Sequence, residues 1–256
     1  EGYLVSGILI PMIIPVECPL WILALAVAFS VIFVKEIFGG TGMNIFNVAI
    51  AARAFMFFSY PTEMSGANVW VAKDSIFGLG NTLPDTFTQA TPLSLIGKTS
   101  DAGCSLSDML LGFIPGSIGE TSVVAIGIGA VILLITGIAS WKIMLSVFAG
   151  GAVTAIMFNV MGETPISWYE HLFLGGFCFG AVFMATDPVT SARTETGKYI
   201  YGFLIGLMTI VIRVMNPGYP EGMMLAILFM NMFAPLIDYC VVQRNIASRM
   251  KRAVRK

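Results

Sequence analysis

The sequence predicts an all-α, polytopic membrane protein: an inverted-repeat helical bundle with about eight membrane segments, some of them broken or half helices. Three observations carry this expectation. The 256-residue chain is 57% apolar and only 11% charged, with a mean hydropathy of +0.85, far from the composition of soluble domains. Eight apolar segments recur along it, roughly at 4–15, 19–38, 43–60, 121–140, 143–161, 168–186, 198–215 and 221–242. Residues 20–58 also align without gaps on 200–238, matching Val31/Val211, Ile32/Ile212, Val34/Val214, Gly42/Gly222, Met43/Met223 and Ala54/Ala234.

Most of the segments approach the ~20 residues that span a hydrocarbon core, while the first is too short to span unless upstream residues complete it. Without water to satisfy free backbone groups, each should be helical. Gly127-Ile-Gly129, Gly150-Gly151 and Gly175-Gly176 would let helix backbones approach closely. In the two repeat copies the hydrophobicity breaks at matching places, Gly39-Gly40-Thr41-Gly42 and Pro217-Gly218-Tyr219-Pro220-Glu221-Gly222.

Basic residues set the orientation. Arg244, Arg249, Lys251, Arg252, Arg255 and Lys256 follow the last segment with no acidic residue among them, which puts the C-terminus in the cytoplasm. Counting back one crossing at a time places the Arg193/Lys198 loop and Lys142 inside and 61–120 outside. That loop carries Glu63, Asp74, Asp85, Asp101, Asp108 and Glu120 against Lys73 and Lys98. The two repeat copies then run antiparallel, as in transporters whose pathway lies near the bilayer midplane. The expected organisation is first-repeat helices at 1–60, a periplasmic loop at 61–120, second-repeat helices at 121–242 and a basic cytoplasmic tail at 243–256.

A net charge of −1 gives no case for nucleic acid. Cys18, Cys104, Cys178 and Cys240 are scattered without C-x-x-C spacing, which predicts neither a disulfide framework nor a metal site. The opening Glu1-Gly2-Tyr3 has no basic region before the first apolar run, so a signal peptide is not expected, and the chain reads as the C-terminal part of a longer protein.

The polar loop contains Asp85-Thr86-Phe87-Thr88-Gln89-Ala90-Thr91, flanked by Pro84 and Pro92. As residues alone this is an ordinary punctuated loop, or a reachable hydroxyl among small neighbours. It resembles the Asp-x-x-[Ser/Thr]-x-Ala-Thr signal at which a flavin transferase esterifies the phosphate of FMN onto the last threonine. The resemblance makes Thr91 the covalent FMN site and Asp85, Thr88 and Ala90 part of its signal.

Further stretches extend the likeness: Arg53-Ala-Phe55, Ile114-Pro-Gly-Ser-Ile-Gly-Glu120, Met184-Ala-Thr-Asp-Pro188, Ile212 through Leu228, and Phe233-Ala-Pro-Leu-Ile-Asp238. Over essentially its whole length the chain resembles the B-subunit family of sodium-translocating NADH:ubiquinone oxidoreductases. The D subunits of Rnf ferredoxin:NAD complexes share the flavin and Ala-Thr-Asp-Pro motifs. The stretch from Asn216 to Leu228 and the basic tail look more like the quinone enzyme.

The resemblance implies a ten-helix protein of the bacterial inner membrane, with about two helices ahead of Glu1. It also implies a six-subunit complex moving electrons from NADH to ubiquinone through flavins and iron–sulfur centres, two of the flavins being covalent FMN, with riboflavin as a further cofactor. The implied partners are the other subunits, a flavin transferase, membrane lipid and Na⁺. Gln89 departs from the family, which usually has Gly two residues before the modified threonine. The competing class is a channel or secondary transporter with inverted repeats and no redox cofactor.

Other candidates keep two readings each. Gly112–Glu120, with Gly116, Ser117 and Gly119, could form an anion-binding nest beside a flavin phosphate or a helix-entry turn. Glu120 closes this stretch. Arg53 stands in an apolar run, where an unpaired cation costs at least ~2.5–3.5 kcal/mol, so it needs a partner: the phosphate or backbone carbonyls. Asp187 and Asp238 offer hard oxygens for a Na⁺ pathway, or are helix-end residues. His171 carries no assigned role, and the methionines around Met223, Met224, Met230 and Met232 read as packing.

Overall fold

The computed structural model describes residues 2–15, 18–64, 69–70, 88–89, 91–95, 105–164, 166–216 and 221–254. The helices are α1 (Tyr3–Ile13), α2 (Leu20–Ser30), α3 (Val48–Ser59), α4 (Pro92–Leu95), α5 (Leu106–Leu111), α6 (Val123–Ile135), α7 (Trp141–Met161), α8 (Trp168–Phe173), α9 (Phe177–Phe179), α10 (Glu195–Met215) and α11 (Met223–Val254). Among the described residues, the π-helical turns Val31–Glu36 and Gly180–Met184 continue α2 and α9. One antiparallel pair, β1 (Val69–Trp70) with β2 (Thr88–Gln89), ties the polar segment to itself.

Among the described residues, three helices are long and apolar enough to cross a bilayer: Trp141–Met161, Glu195–Met215 and Met223–Ala253. The apolar helices 3–13, 48–59 and 123–135 are shorter. The polarity is inside out. Ile128, Val131, Ile135, Val153, Val160, Phe229, Met232 and Leu236 are exposed, while Ser30, Asn47, Arg53, Glu120, His171, Arg213 and Asn231 are buried. Apolar side chains outside, with Ser30, Asn47, Arg53, Glu120 and Arg213 hydrogen-bonded inside, are what a hydrocarbon solvent selects, and the chain is an integral membrane protein.

The segment expected at 168–186 is interrupted, because Leu174-Gly175-Gly176 leaves the helix with Gly175 at φ +65°. Only glycine holds that left-handed conformation without a Cβ clash. The last helix runs on to Val254, so the residues expected to form a basic tail from 243 continue α11. Both copies of the sequence repeat read helix, break, helix, and Gly42 and Gly222 share a left-handed φ. The elements also repeat in a second register: in each half a π turn is followed by a break and then by α3 or α10. The two breaks meet, since Asn47 Nδ2 donates to Asp187 Oδ2 at 3.4 Å.

Helices α7 and α10 make the central pair. A Cβ on Gly206 would collide with the Val147 carbonyl oxygen and lie 2.5 Å from the Gly151 nitrogen, and one on Gly150 would collide with the Phe203 carbonyl. Backbone thus meets backbone, with no flexible side chain to give way. Gly206→Val should destabilise the fold by at least the ~1–3 kcal/mol typical of overpacking. A lowered midpoint of thermal aggregation in detergent checks this, with Gly127→Ala, which meets open space, as the control.

Candidate functional site: a charged cluster beside the Thr91 segment

Thr91 immediately precedes α4 and is half-buried, while Pro92 and Leu93 behind it are buried. Proline suits the first helical position, where its missing N–H costs nothing. Leu93 packs with Met109, Ile114, Ile166 and Leu174 in a small apolar cluster apart from the main core. It also closes over Gly175, where a Cβ would lie 2.9 Å from Leu93 Cδ2. The Thr91 segment is therefore docked on the α8–α9 break. Asp85 and Ala90 lie outside the described residues, and Thr88 is placed only as backbone of β2.

Beneath that contact lie four charges. Arg53 of α3 donates from Nη1 to Glu120 Oε1 at 2.6 Å and from Nη2 to Glu221 Oε2. All three side chains are nearly sequestered, at 9%, 8% and 14% exposure. Arg213, near the end of α10, donates to the carbonyls of His171 and Leu174, the latter at 3.3 Å, and to that of Glu221 at 3.4 Å. It thereby serves carbonyls that the α8–α9 break leaves without helical donors. Residues from α3, α8, α10 and the segments before α6 and α11 thus converge on one point.

Two donors of the Gly112–Glu120 stretch are taken up by the end of α1. Gly119 N–H donates to Met12 O at 2.8 Å and Ser117 Oγ to Ile13 O at 3.4 Å. A Cβ on Gly119 would come within 2.8–3.0 Å of Phe179 and Met12. Gly116 remains beside Thr121, with 3.2 Å between its absent Cβ and Cγ2. The backbone buried here is irregular yet shielded by protein, the condition under which a membrane body tolerates it.

Asp187 and Asp238 stand elsewhere and do not meet. Asp187 opens the break before α10, accepting from Val189 N at 3.1 Å, Thr190 Oγ1 at 3.0 Å and Asn47. Burial pushes its carboxyl above the ordinary carboxylate range, against the pull of those three donors. Asp238 accepts from Arg193 N at 2.8 Å, Thr194 N at 3.0 Å and Thr194 Oγ1 at 2.6 Å. Both its oxygens are occupied at the N-terminus of α10, a capping role. Tyr201 Oη donates to Asn231 Oδ1 at 2.6 Å in the same interior.

Residues 1–247 match the model of the family described as NQR2, RnfD, RnfE. The chain belongs to this family. Among its relatives in the NQR2, RnfD, RnfE family, the B subunit of the Na(+)-translocating NADH-quinone reductase of Chromohalobacter salexigens is 51% identical, over 98% of this chain and 61% of the relative. Proteins of that description from Klebsiella pneumoniae and Ectopseudomonas mendocina are 49% and 48% identical, over 98% and 99% of this chain, with 62% and 63% of their own lengths covered. The chain thus spans about three-fifths of the length of these relatives.

Sequence reading singled out Arg53 and Glu120 without pairing them, and it passed over Arg213 and Glu221. The rule that isolated Arg53, a cation in an apolar run, also applies to Arg213. Arg213→Met should leave three carbonyls without their donor, about 1–3 kcal/mol for each buried group left unmade. The expected outcome is loss of folded protein from detergent extracts by size-exclusion chromatography, with Arg213→Lys recovering part of it.

Proposed function

We propose that this chain is the B-type subunit of a redox-driven sodium pump, carrying FMN on Thr91 and passing electrons from NADH towards ubiquinone as Na⁺ crosses the membrane. The observation that carries the reading is membership of a family whose relatives are named as B subunits of the Na(+)-translocating NADH-quinone reductase. The placement of Thr91 supports the cofactor: its hydroxyl belongs to a half-buried residue, on a segment anchored by Leu93 to the α8–α9 break. Thr91 Oγ1 would be the ester oxygen, and Pro92 and Leu93 would fix the attachment point to the helical body. Bound there, FMN would supply one- and two-electron redox chemistry. Gln89 lies in β2 and replaces the usual glycine without removing the acceptor hydroxyl.

The finer architecture belongs to the same proposal. Eight segments of this chain enter the membrane as two inverted halves, with the Thr91 side periplasmic and the C-terminus cytoplasmic. The partners are the remaining subunits of the complex, a flavin transferase that modifies Thr91, the lipid around the exposed apolar faces, and ubiquinone as electron acceptor. Riboflavin is a further flavin for the same complex. Asp187, where the two breaks meet, is the sodium-pathway candidate. Asp238 carries less of that role, because its oxygens already cap α10. Moving one Na⁺ against 100 mV costs ~2.3 kcal/mol, and an electron falling through 100 mV supplies as much.

Thr91→Ala should abolish in-gel flavin fluorescence of the denatured chain, while Thr91→Ser, which keeps a hydroxyl, should retain some of it. Fluorescence persisting in the alanine variant would refute the attachment site.

Asp187→Asn keeps shape and one oxygen but removes the charge, so it should raise the Na⁺ concentration for half-maximal quinone reduction with FMN still attached. An unchanged sodium dependence would remove Asp187 from the pathway.

A further inference from the structure

Glu120 and Glu221 reach the same point from different parts of the chain. A Cβ on Gly176 would lie 2.8 Å from Glu221 Oε1 and 3.2 Å from Glu120 Oε1, so the absence of a side chain there is what lets both carboxyl groups in. The two Oε1 atoms thus face the same glycine from opposite parts of the chain. Arg53 holds the outer side of the pair, bonding Glu120 Oε1 with one nitrogen and Glu221 Oε2 with the other. Glu221 Oε1 is buried and has no hydrogen-bond partner among the described residues. A buried acceptor left unmade costs ~1–3 kcal/mol, more when it is charged, and two ionised carboxylates in contact repel. One proton between the two oxygens removes both penalties.

The surrounding charges weigh both ways. Arg213 on α10 is near enough to favour two ionised carboxylates, but its guanidinium is hydrogen-bonded to the carbonyls of His171, Leu174 and Glu221. On α8, His171 is fully buried with neither ring nitrogen hydrogen-bonded among the described residues. On α9, the Cys178 thiol donates to Leu172 O at 3.2 Å. The orphan oxygen decides the balance, since neither arginine donor described here reaches it.

We infer that Glu120 and Glu221 share a single proton, and that this carboxyl pair is a proton-holding site that responds to charge arriving on the Thr91 segment. The pair lies against Gly176, and Leu93, two residues beyond Thr91, lies against Gly175. Negative charge added there strengthens the pair's hold on protons. The singly protonated pair, charge −1, takes one more proton from water and becomes neutral, with no bond to carbon made or broken. The response rests on the proposed FMN attachment, whereas the shared proton does not.

Infrared spectroscopy of the assembled complex tests both parts. The oxidised complex should show a carboxylic acid C=O band that shifts in D₂O and is lost in Glu221→Gln and in Glu120→Gln. Two variants are used so that misfolding of one, seen by size-exclusion chromatography, leaves the other to decide. A spectrum in this region identical between wild type and a folded variant overturns the shared proton. Reduction should increase the acid band in wild type, and Thr91→Ala should suppress the increase while leaving the static band. A static band that does not respond to reduction in flavin-loaded wild type overturns the charge response alone. A response that survives in Thr91→Ala with no covalent flavin places the source of charge elsewhere and overturns the link to Thr91.

Discussion

A backbone that leaves a helix inside an apolar solvent must replace every hydrogen bond it gives up, and the polar interior of this chain is organised around that requirement. Each interruption has its own remedy. The end of α1 takes Gly119 N–H and Ser117 Oγ. The α8–α9 break takes the Arg213 guanidinium. The start of α10 takes the Asp238 carboxylate, and the start of α3 takes Asn47 Oδ1, which accepts from Ala49 N and Ile50 N. Most residues that look functional because they are polar in a membrane thus have a structural duty first.

The remedies also assemble the tertiary structure, because the donors come from distant parts of the chain. Arg53 of α3 is joined to the segment before α6 and to the segment before α11, so α3 cannot move without disturbing both. Between helices, where no polar partner is needed, glycine provides close approach: Gly129 against Phe183, Gly180 against Met223, and Gly202 and Gly206 against α7. Packing of this kind supplies cohesion that the hydrophobic effect cannot give between helices already in hydrocarbon.

Helical segments were legible in the sequence because their apolar runs are local signals. The predicted starts and ends of 143–161 and 198–215 fall within three residues of α7 and α10. The break at Leu174–Gly176 was not, because Gly175-Gly176 reads equally as a site of close helix approach. Pairings were less legible still. Arg53 could be flagged as needing a partner, but Glu120 lies 67 residues away and Glu221 168, and no periodicity connects them. Asp238 looked like an interfacial acid or a cation ligand. Its use as a cap for Thr194 depends on the α10–α11 packing, which only the fold supplies. The Thr91 motif was visible as a pattern of residue types, and the fold adds that its next two residues are anchored.

That anchoring bears on how the proposed redox and sodium sites communicate. Arg213 and the Thr91 segment mark one end of α10, and Asp187 interacts electrostatically with Tyr201, twelve residues earlier on that helix. At 1.5 Å per residue Tyr201 and Arg213 lie about 18 Å apart along the axis. With an effective dielectric of ~20, a unit charge added at one end changes the energy of a unit charge at the other by about 1 kcal/mol. That is less than half of the ~2.3 kcal/mol that one Na⁺ requires against 100 mV. A direct field along α10 therefore falls short of the proposed coupling, which would need movement as well. The breaks are where movement is cheapest: several of their hydrogen bonds, those made by Asn47, Asp238 and Arg213 among them, involve side chains, which can re-pair, whereas those of α7 and α10 run along the backbone. Asn47–Asp187, the contact between the two breaks, includes the proposed sodium-pathway residue, and Arg53 ties the helix that starts at Asn47 back to the carboxyl pair beside the Thr91 segment. The connection from Asp187 to the carboxyl pair thus runs through α3, whose first turn is capped by Asn47 and whose second carries Arg53.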